Sequence, residues 1–340
     1  MKKIDLKIAL TYVGAIVGAG FASGQELIRF FVVFKNYGLI GTIITGIIFS
    51  LLGALVIILV NKLSINNYGN LLENIFPGKI HIVIDILIAV SLWIGIGVML
   101  SGSAALINER LDFSVKASFI FTGLLVFICL QFGSKSLLNT NTILVPFLIF
   151  LAIGSSALYI FKPVACFSDG YRLQNLIPNW WTASLLYVAY NMVLGIVVLA
   201  SVKSEGEQVT VWGGLLGGGL LGLMSFIMVK GLLLLPQDLQ LAEMPMLVMT
   251  NKISPAIGDI YGLGLWVALF TTALANTHSL AVRISNKINI SYKLILFSLI
   301  ASSFCFIPWK FSALVSIIYP IEGYLAIPII AAVILAVFKK

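Results

Sequence analysis

Charge is what this sequence has least of. Asp, Glu, Lys and Arg make up 10% of the 340 residues, whereas hydrophobic residues make up 60%. No soluble domain buries that apolar share, and no polar stretch is long enough to form one, so the chain is expected to be an all-α polytopic membrane protein. Histidine occurs twice (His81, His278) and cysteine three times (Cys129, Cys166, Cys305), none at metal-ligand or disulfide spacing. No nucleophile–base pair, phosphate loop or metal cluster can be assembled, so neither an enzyme nor a cofactor is expected. Negative charge is scarcer than positive, giving a net charge of +8. In a membrane protein this excess belongs to cytoplasmic loops, with the lipid bilayer rather than a nucleic acid as partner.

Long apolar runs are what the sequence does have. Ten segments, each near the ~20 residues a helical span needs, can be drawn at 7–34, 38–60, 80–108, 115–132, 137–161, 179–201, 209–235, 257–282, 294–307 and 311–338. The MKK start could pass for a signal peptide, but the apolar character resumes at Leu27 and runs to Phe34, long enough to span. Loop lysines and arginines place both termini in the cytoplasm, in the cell membrane. Trp180 and Trp181 suit an interfacial belt. The polar connections after the second and fifth spans, and the stretch 236–254, are read as loops, the first partly helical.

The first span contains an anomaly. Residues 14–26 read GAIVGAGFASGQE, with Gly14, Gly18, Gly20 and Gly24 followed by Gln25 and Glu26. Glycine costs roughly 1 kcal/mol against alanine in a helix interior, and a carboxylate at membrane depth needs a partner or a polar cavity. Two uses fit: close helix packing, or an unwound segment offering backbone groups to a ligand. The seventh span has glycines too, and there Gly214, Gly218 and Gly222 have helix-packing spacing.

The halves of the chain resemble each other. TYVGAIVGAG from Thr11 and LYVAYNMVLG from Leu186 share Tyr12/Tyr187, Val13/Val188 and Gly20/Gly195 at an offset of 175 (187 minus 12). Asp85-Ile86 and Leu92-Trp93 in the third span match Asp259-Ile260 and Leu265-Trp266 in the eighth, at offsets of 174 and 173. This pairing predicts a 5+5 inverted repeat, 7–161 and 179–338, within a single domain over 1–340. The polar pair Tyr190-Asn191 ahead of Gly195 predicts a break in the sixth span to match the first. Paired breaks favour the ligand use of 14–26 over packing, since unwound backbone at that depth must line a cavity.

The GAIVGAGFASGQE run and the interrupted sixth span resemble the amino acid–polyamine–cation superfamily, with the leucine-transporter (LeuT) fold; more narrowly, the chain resembles the YkvI-type bacterial membrane proteins. The resemblance implies a secondary active transporter or symporter of a small zwitterionic solute, an amino acid, driven by Na+ or H+ through alternating access. It implies no other cofactor and no obligate protein partner. It implies a carboxylate on the backbone of Gly18, Ala19 and Gly20, with Phe21, Ala22, Ser23, Trp93, Tyr187, Tyr190, Asn191 and Gly195 around the solute. It implies a sodium ion among Gly14, Val17, Ala273, Asn276 and Thr277, although Asn276 stands where the pattern has a hydroxyl. The alternative is a non-transporting ligand sensor on the same fold. Among ionisable residues, Glu26 and Arg29 are spaced to pair on one helix face, and Glu322 in YPIEGY could meet Arg29 as an outer gate or as a structural ion pair. His278 is a candidate proton carrier or a satisfied structural residue. Lys230 is expected to snorkel, and Asp85 and Asp259 to cap helices or lie at the interface.

Overall fold

Backbone polar groups inside a bilayer must be satisfied within the segment, which leaves helices as the natural form of apolar runs. In a computed structural model every one of the apolar segments is helical. The structure describes residues 3–63, 71, 74–76, 80–131, 135–161, 176–201, 210–285, 288 and 290–338. Cys166 and most of the first two polar connections lie outside the described residues.

The first segment forms three pieces, α1 (Lys3–Ile16), α2 (Ala19–Ser23) and α3 (Gln25–Phe30). Then follow α4 (Asn36–Lys62), α5 (Ile80–Leu111), α6 (Val115–Gln131), α7 (Lys135–Phe161), α8 (Trp180–Ala200) and α9 (Trp212–Leu233). Two short helices, α10 (Gln237–Gln240) and α11 (Pro245–Ile253), precede α12 (Pro255–Ser285), α13 (Tyr292–Ser303) and α14 (Phe311–Phe338). Six of these, α4, α5, α8, α9, α12 and α14, are long and apolar enough to cross a membrane. No strand occurs among the described residues.

Stretch 236–254, read as a loop, instead contains α10 and α11. The cause is apolar content: Met244, Met246, Leu247 and Met249 are fully buried. The sixth span differs more. It is the continuous helix α8, with no interruption at Tyr190-Asn191. The Asn191 amide donates to the Tyr187 carbonyl one turn back (3.0 Å), so the polar side chain is satisfied by its own helix. Gly195 does not loosen it either, because the Tyr12 ring occupies the space where a side chain would sit.

Two helix seams set the frame. Along α9, a Cβ on Gly214, Gly218 or Gly222 would fall 2.2–2.5 Å from backbone atoms of α4, at Gly53, Ser50 and Gly46 respectively. The four-residue spacing is therefore a packing stripe, as expected. On a neighbouring side of α9, Gly213 and Gly217 admit Ile8 and Tyr12 of α1. The second seam joins α5 to α12. Arg110 near the end of α5 pairs with Asp259 near the start of α12 at 2.8 Å, and Arg283 near the end of α12 pairs with Asp85 near the start of α5. The ion pairs are reciprocal: Asp85 and Asp259 are 174 apart (259 minus 85), Arg110 and Arg283 173 apart (283 minus 110). The two aspartates thus clamp helix pairs rather than cap their own helices.

Candidate functional site

The site begins with the two interruptions of the first span. At the first, the Val17 N–H bonds the Val13 carbonyl (2.8 Å), but the Gly18 N–H turns to Ile16 (2.9 Å) and Gly18 is extended. A new helix starts at Ala19, so the first N–H groups of α2 and the last carbonyls of α1 lack helical partners. At the second, Gly24 has φ 85, a left-handed conformation that suits glycine, and its missing side chain also makes room for Met246. The Ser23 hydroxyl donates to the Gly20 carbonyl (2.6 Å) and accepts from the Gln25 N–H (3.2 Å), fixing that turn.

The glycines of this run have separate uses. A Cβ on Gly14 or Gly18 would meet nothing within 4 Å. Both border a cavity of about 1150 Å³. A Cβ on Gly20 would lie 2.1 Å from Glu26 Oε1 and 3.2 Å from the Tyr319 hydroxyl. Gly20 therefore makes the space in which the Glu26 carboxylate sits.

The cavity runs from Leu6, Lys7 and Leu10 on α1, past the Val17–Gly18 break, to Glu26 on α3. Its α1 stripe is Lys7, Leu10, Thr11 and Gly14, at spacings of three and four. The opposite walls supply Ser91, Leu92 and Gly95 from α5, Tyr190 and Asn191 from α8, Thr272 and Asn276 from α12, and Tyr319 and Glu322 from α14. At its Glu26 end the Tyr190 hydroxyl donates to the Glu26 carboxylate. The Tyr190 ring lies against Tyr319 (centroids 5.2 Å apart) and stacks on Phe30 (5.6 Å). Beyond, the Gln25 amide donates to the Ala242 and Glu243 carbonyls ahead of α11, and the Tyr261 hydroxyl donates to the Ala22 carbonyl. The Glu243 carboxylate accepts from the Ser312 N–H (2.8 Å) and hydroxyl (2.7 Å) at the start of α14. These bonds tie α2 and α3 to α12 and to the stretch before α11, which is in turn bonded to α14.

Of the residues singled out from sequence, Gly14, Val17, Gly18, Ala19, Gly20, Glu26, Tyr190, Asn191, Asn276 and Glu322 come together around this cavity. Phe21, Ala22 and Ser23 are buried behind it. Trp93 lies off the wall: its indole N–H donates to the Ser302 hydroxyl (2.9 Å) and its ring meets Phe306, because the cavity stripe of α5 passes through Ser91, Leu92 and Gly95 instead. Tyr187 is packed among Phe30, Phe31 and Phe49, and Gly195 against Tyr12. Ala273 and Thr277 are fully buried, with the Thr277 hydroxyl donating to the Ala273 carbonyl (2.7 Å), so only Gly14, Val17 and Asn276 of the ion set reach the cavity.

The expected carboxylate–arginine pairs do not form. Glu26 turns into the space left by Gly20 and takes Tyr190 as partner, Glu322 lies beside Ser91, and Arg29 interacts electrostatically with Glu243. His278 Nδ1 is 2.8 Å from the Tyr292 hydroxyl, joining α12 to α13 away from the cavity. Tyr319, Ser91 and Thr272 are not singled out by the sequence. Tyr319 is within reach of it, since it precedes Glu322 by three residues and so shares its helix face.

No protein-family model matches the chain. Over 334 residues it is 28% identical to YkvI of Bacillus subtilis (strain 168), described as an uncharacterized membrane protein, covering 96% of this chain and 94% of that protein. Over 341 residues it is 25% identical to YyaD of the same organism, covering 98% and 97%. Among solved structures, the inward-facing conformation of Mhp1 superposes with a TM-score of 0.68 at 14% sequence identity, covering 97% of this chain and 75% of that one. The chain has the Mhp1 fold. The resemblance to YkvI-type membrane proteins is borne out, and of the expected fold the all-helical architecture of the Mhp1 type is borne out.

Proposed function

We propose that the chain is a secondary active transporter of a small solute, most simply an amino acid, working by alternating access. The observation that supports this best is the cavity at the Val17–Gly18 break, because backbone freed from helical bonding at that depth has a use only where something polar visits it. Ten spans form a 5+5 inverted repeat, with the interruption kept in the first span alone. The reciprocal Asp85–Arg283 and Asp259–Arg110 pairs favour that symmetry, since a two-fold relation between the third and eighth spans carries one pair onto the other. With both termini in the cytoplasm, the cavity opens inward beside Lys7 and is closed outward by Tyr190, Tyr319 and the stretch before α11. The solute lies against Gly18, Ala19 and Gly20, facing Asn191 and Asn276. The coupling ion is Na+ or H+; Gly14, Val17 and Asn276 are where a sodium ion would be held. The test is uptake into proteoliposomes across an amino-acid panel, in sodium against choline buffer at fixed pH. Gradient-driven uptake of at least one solute is expected. Saturable binding without uptake or counterflow would instead favour the sensor reading.

A further inference from the structure

Two carboxylates enter this cavity, and among the described residues neither forms an ion pair. Glu26 is 5% exposed and its partner is the Tyr190 hydroxyl, a neutral donor. Glu322, from the facing helix α14, lines the same cavity beside Ser91, one turn beyond Tyr319, whose hydroxyl borders the Gly20 space that Glu26 occupies. Lys7 is the cation among the described lining residues, and it sits at the opposite end, ten residues or about 15 Å of helix from the Val17 break. Neither glutamate pairs with Arg29 or any other cation among the described residues. Glu26 is buried and Glu322 half-buried; carboxylates held away from water without counter-charge are costly, and an ionisable residue at membrane depth calls for a named partner.

The remaining lining says what kind of partner fits. Leu92, Val98, Met99, Ile318 and Leu325 give the cavity an aliphatic body, suited to the hydrocarbon part of an organic solute. Among the described residues no group of three or more His, Cys, Asp or Glu could hold a metal. At about 1150 Å³ the space suits an organic molecule. We infer that the transported solute is an organic cation, an ammonium or guanidinium group on an aliphatic body, whose positive end lies between Glu26 and Glu322. This rests on the cavity being the solute site, and it narrows the zwitterion expected from the family resemblance to one with net positive charge. Gly20 takes part by making room for one carboxylate; Tyr190 holds that carboxylate and is itself packed against Tyr319.

The test compares L-arginine with L-citrulline, its neutral near-isostere, on the purified full-length protein. Thermal stabilisation in detergent and counterflow in proteoliposomes are read, with L-leucine, putrescine and Mn2+ as further probes. Arginine is expected to bind at least about tenfold more tightly than citrulline, as befits a buried charge pair. Glu322→Gln is expected to bring the two within about threefold. The wild-type comparison stands alone should that variant fail to fold. Citrulline or leucine matching arginine would overturn the cationic class while leaving a transporter. Stabilisation by Mn2+ and not by arginine would overturn it in favour of a metal ion. Binding and exchange of none of the probes would overturn both this inference and the reading of the cavity as a solute site.

Discussion

Two glycine-rich helices lie side by side in this molecule and use the same residue for opposite ends. In α9 the glycines are consumed by backbone: Gly214, Gly218 and Gly222 let α4 approach until no methyl group would fit. In the first span they open space: Gly14 and Gly18 border the cavity, Gly20 makes room for a carboxylate and Gly24 takes a backbone turn that few other residues adopt. The lesson is that small-residue content says where close approach or exposure is permitted, and only the neighbours say which. Regular four-residue spacing marks the packing stripe, while irregular spacing with adjacent polar residues marks the site.

Adding one methyl group at each position breaks or sharpens this contrast. The largest effect is expected at Gly218→Ala, where the new carbon would fall 2.2 Å from the Ser50 nitrogen and its nearest neighbours are all backbone atoms of α4. Overpacking of this kind costs about 1–3 kcal/mol, so thermal unfolding in detergent should fall by several degrees. Next comes Gly24→Ala, with a left-handed conformation costing roughly 1–2 kcal/mol and a contact with Met246; a smaller fall in the same measurement is expected. Gly20→Ala displaces the flexible end of Glu26 and presses lightly on the Tyr319 hydroxyl, with no backbone atom among its nearest neighbours. Its stability should hold, while solute affinity drops by about tenfold, the scale of one charge-assisted hydrogen bond. At Gly14→Ala no loss of stability is expected, and a slight gain. Nothing lies within 4 Å, and the helix gains up to about 1 kcal/mol of propensity. A fall in stability there as large as at Gly218 would erase the distinction between the two helices.

Much of this contrast is legible in the order of the amino acids. The stripe of α9 follows from spacing alone. The interrupted first span follows from four glycines beside Gln25 and Glu26, a composition that a simple anchor has no reason to carry. The sixth span is different, because the polarity of Tyr190-Asn191 points to a break that does not form: a helix that can absorb a polar side chain stays whole. Asn191 bonds its own helix at Tyr187 while its residue still lines the cavity. Trp93 and the carboxylate–arginine pairs mislead for a related reason. Spacing along a helix gives neighbours on one face, but which face meets the cavity is set by the partners, and the space left by Gly20 redirects Glu26 to another helix altogether. The matched aspartates, by contrast, carry more than capping. Their arginine partners repeat at nearly the same offset, a signal available from sequence once one pair is known.

The most direct measurement uses Gly18→Leu, which places a large side chain in the cavity beside the Val17–Gly18 break, where a Cβ meets no protein atom within 4 Å. Uptake into proteoliposomes is compared with wild type across the amino-acid panel, alongside thermal unfolding of both proteins. A solute site at the break predicts gradient-driven, saturable uptake in the wild type that is lost in Gly18→Leu at unchanged stability. Equal uptake in both proteins, or none in either for any solute on the panel, would contradict it.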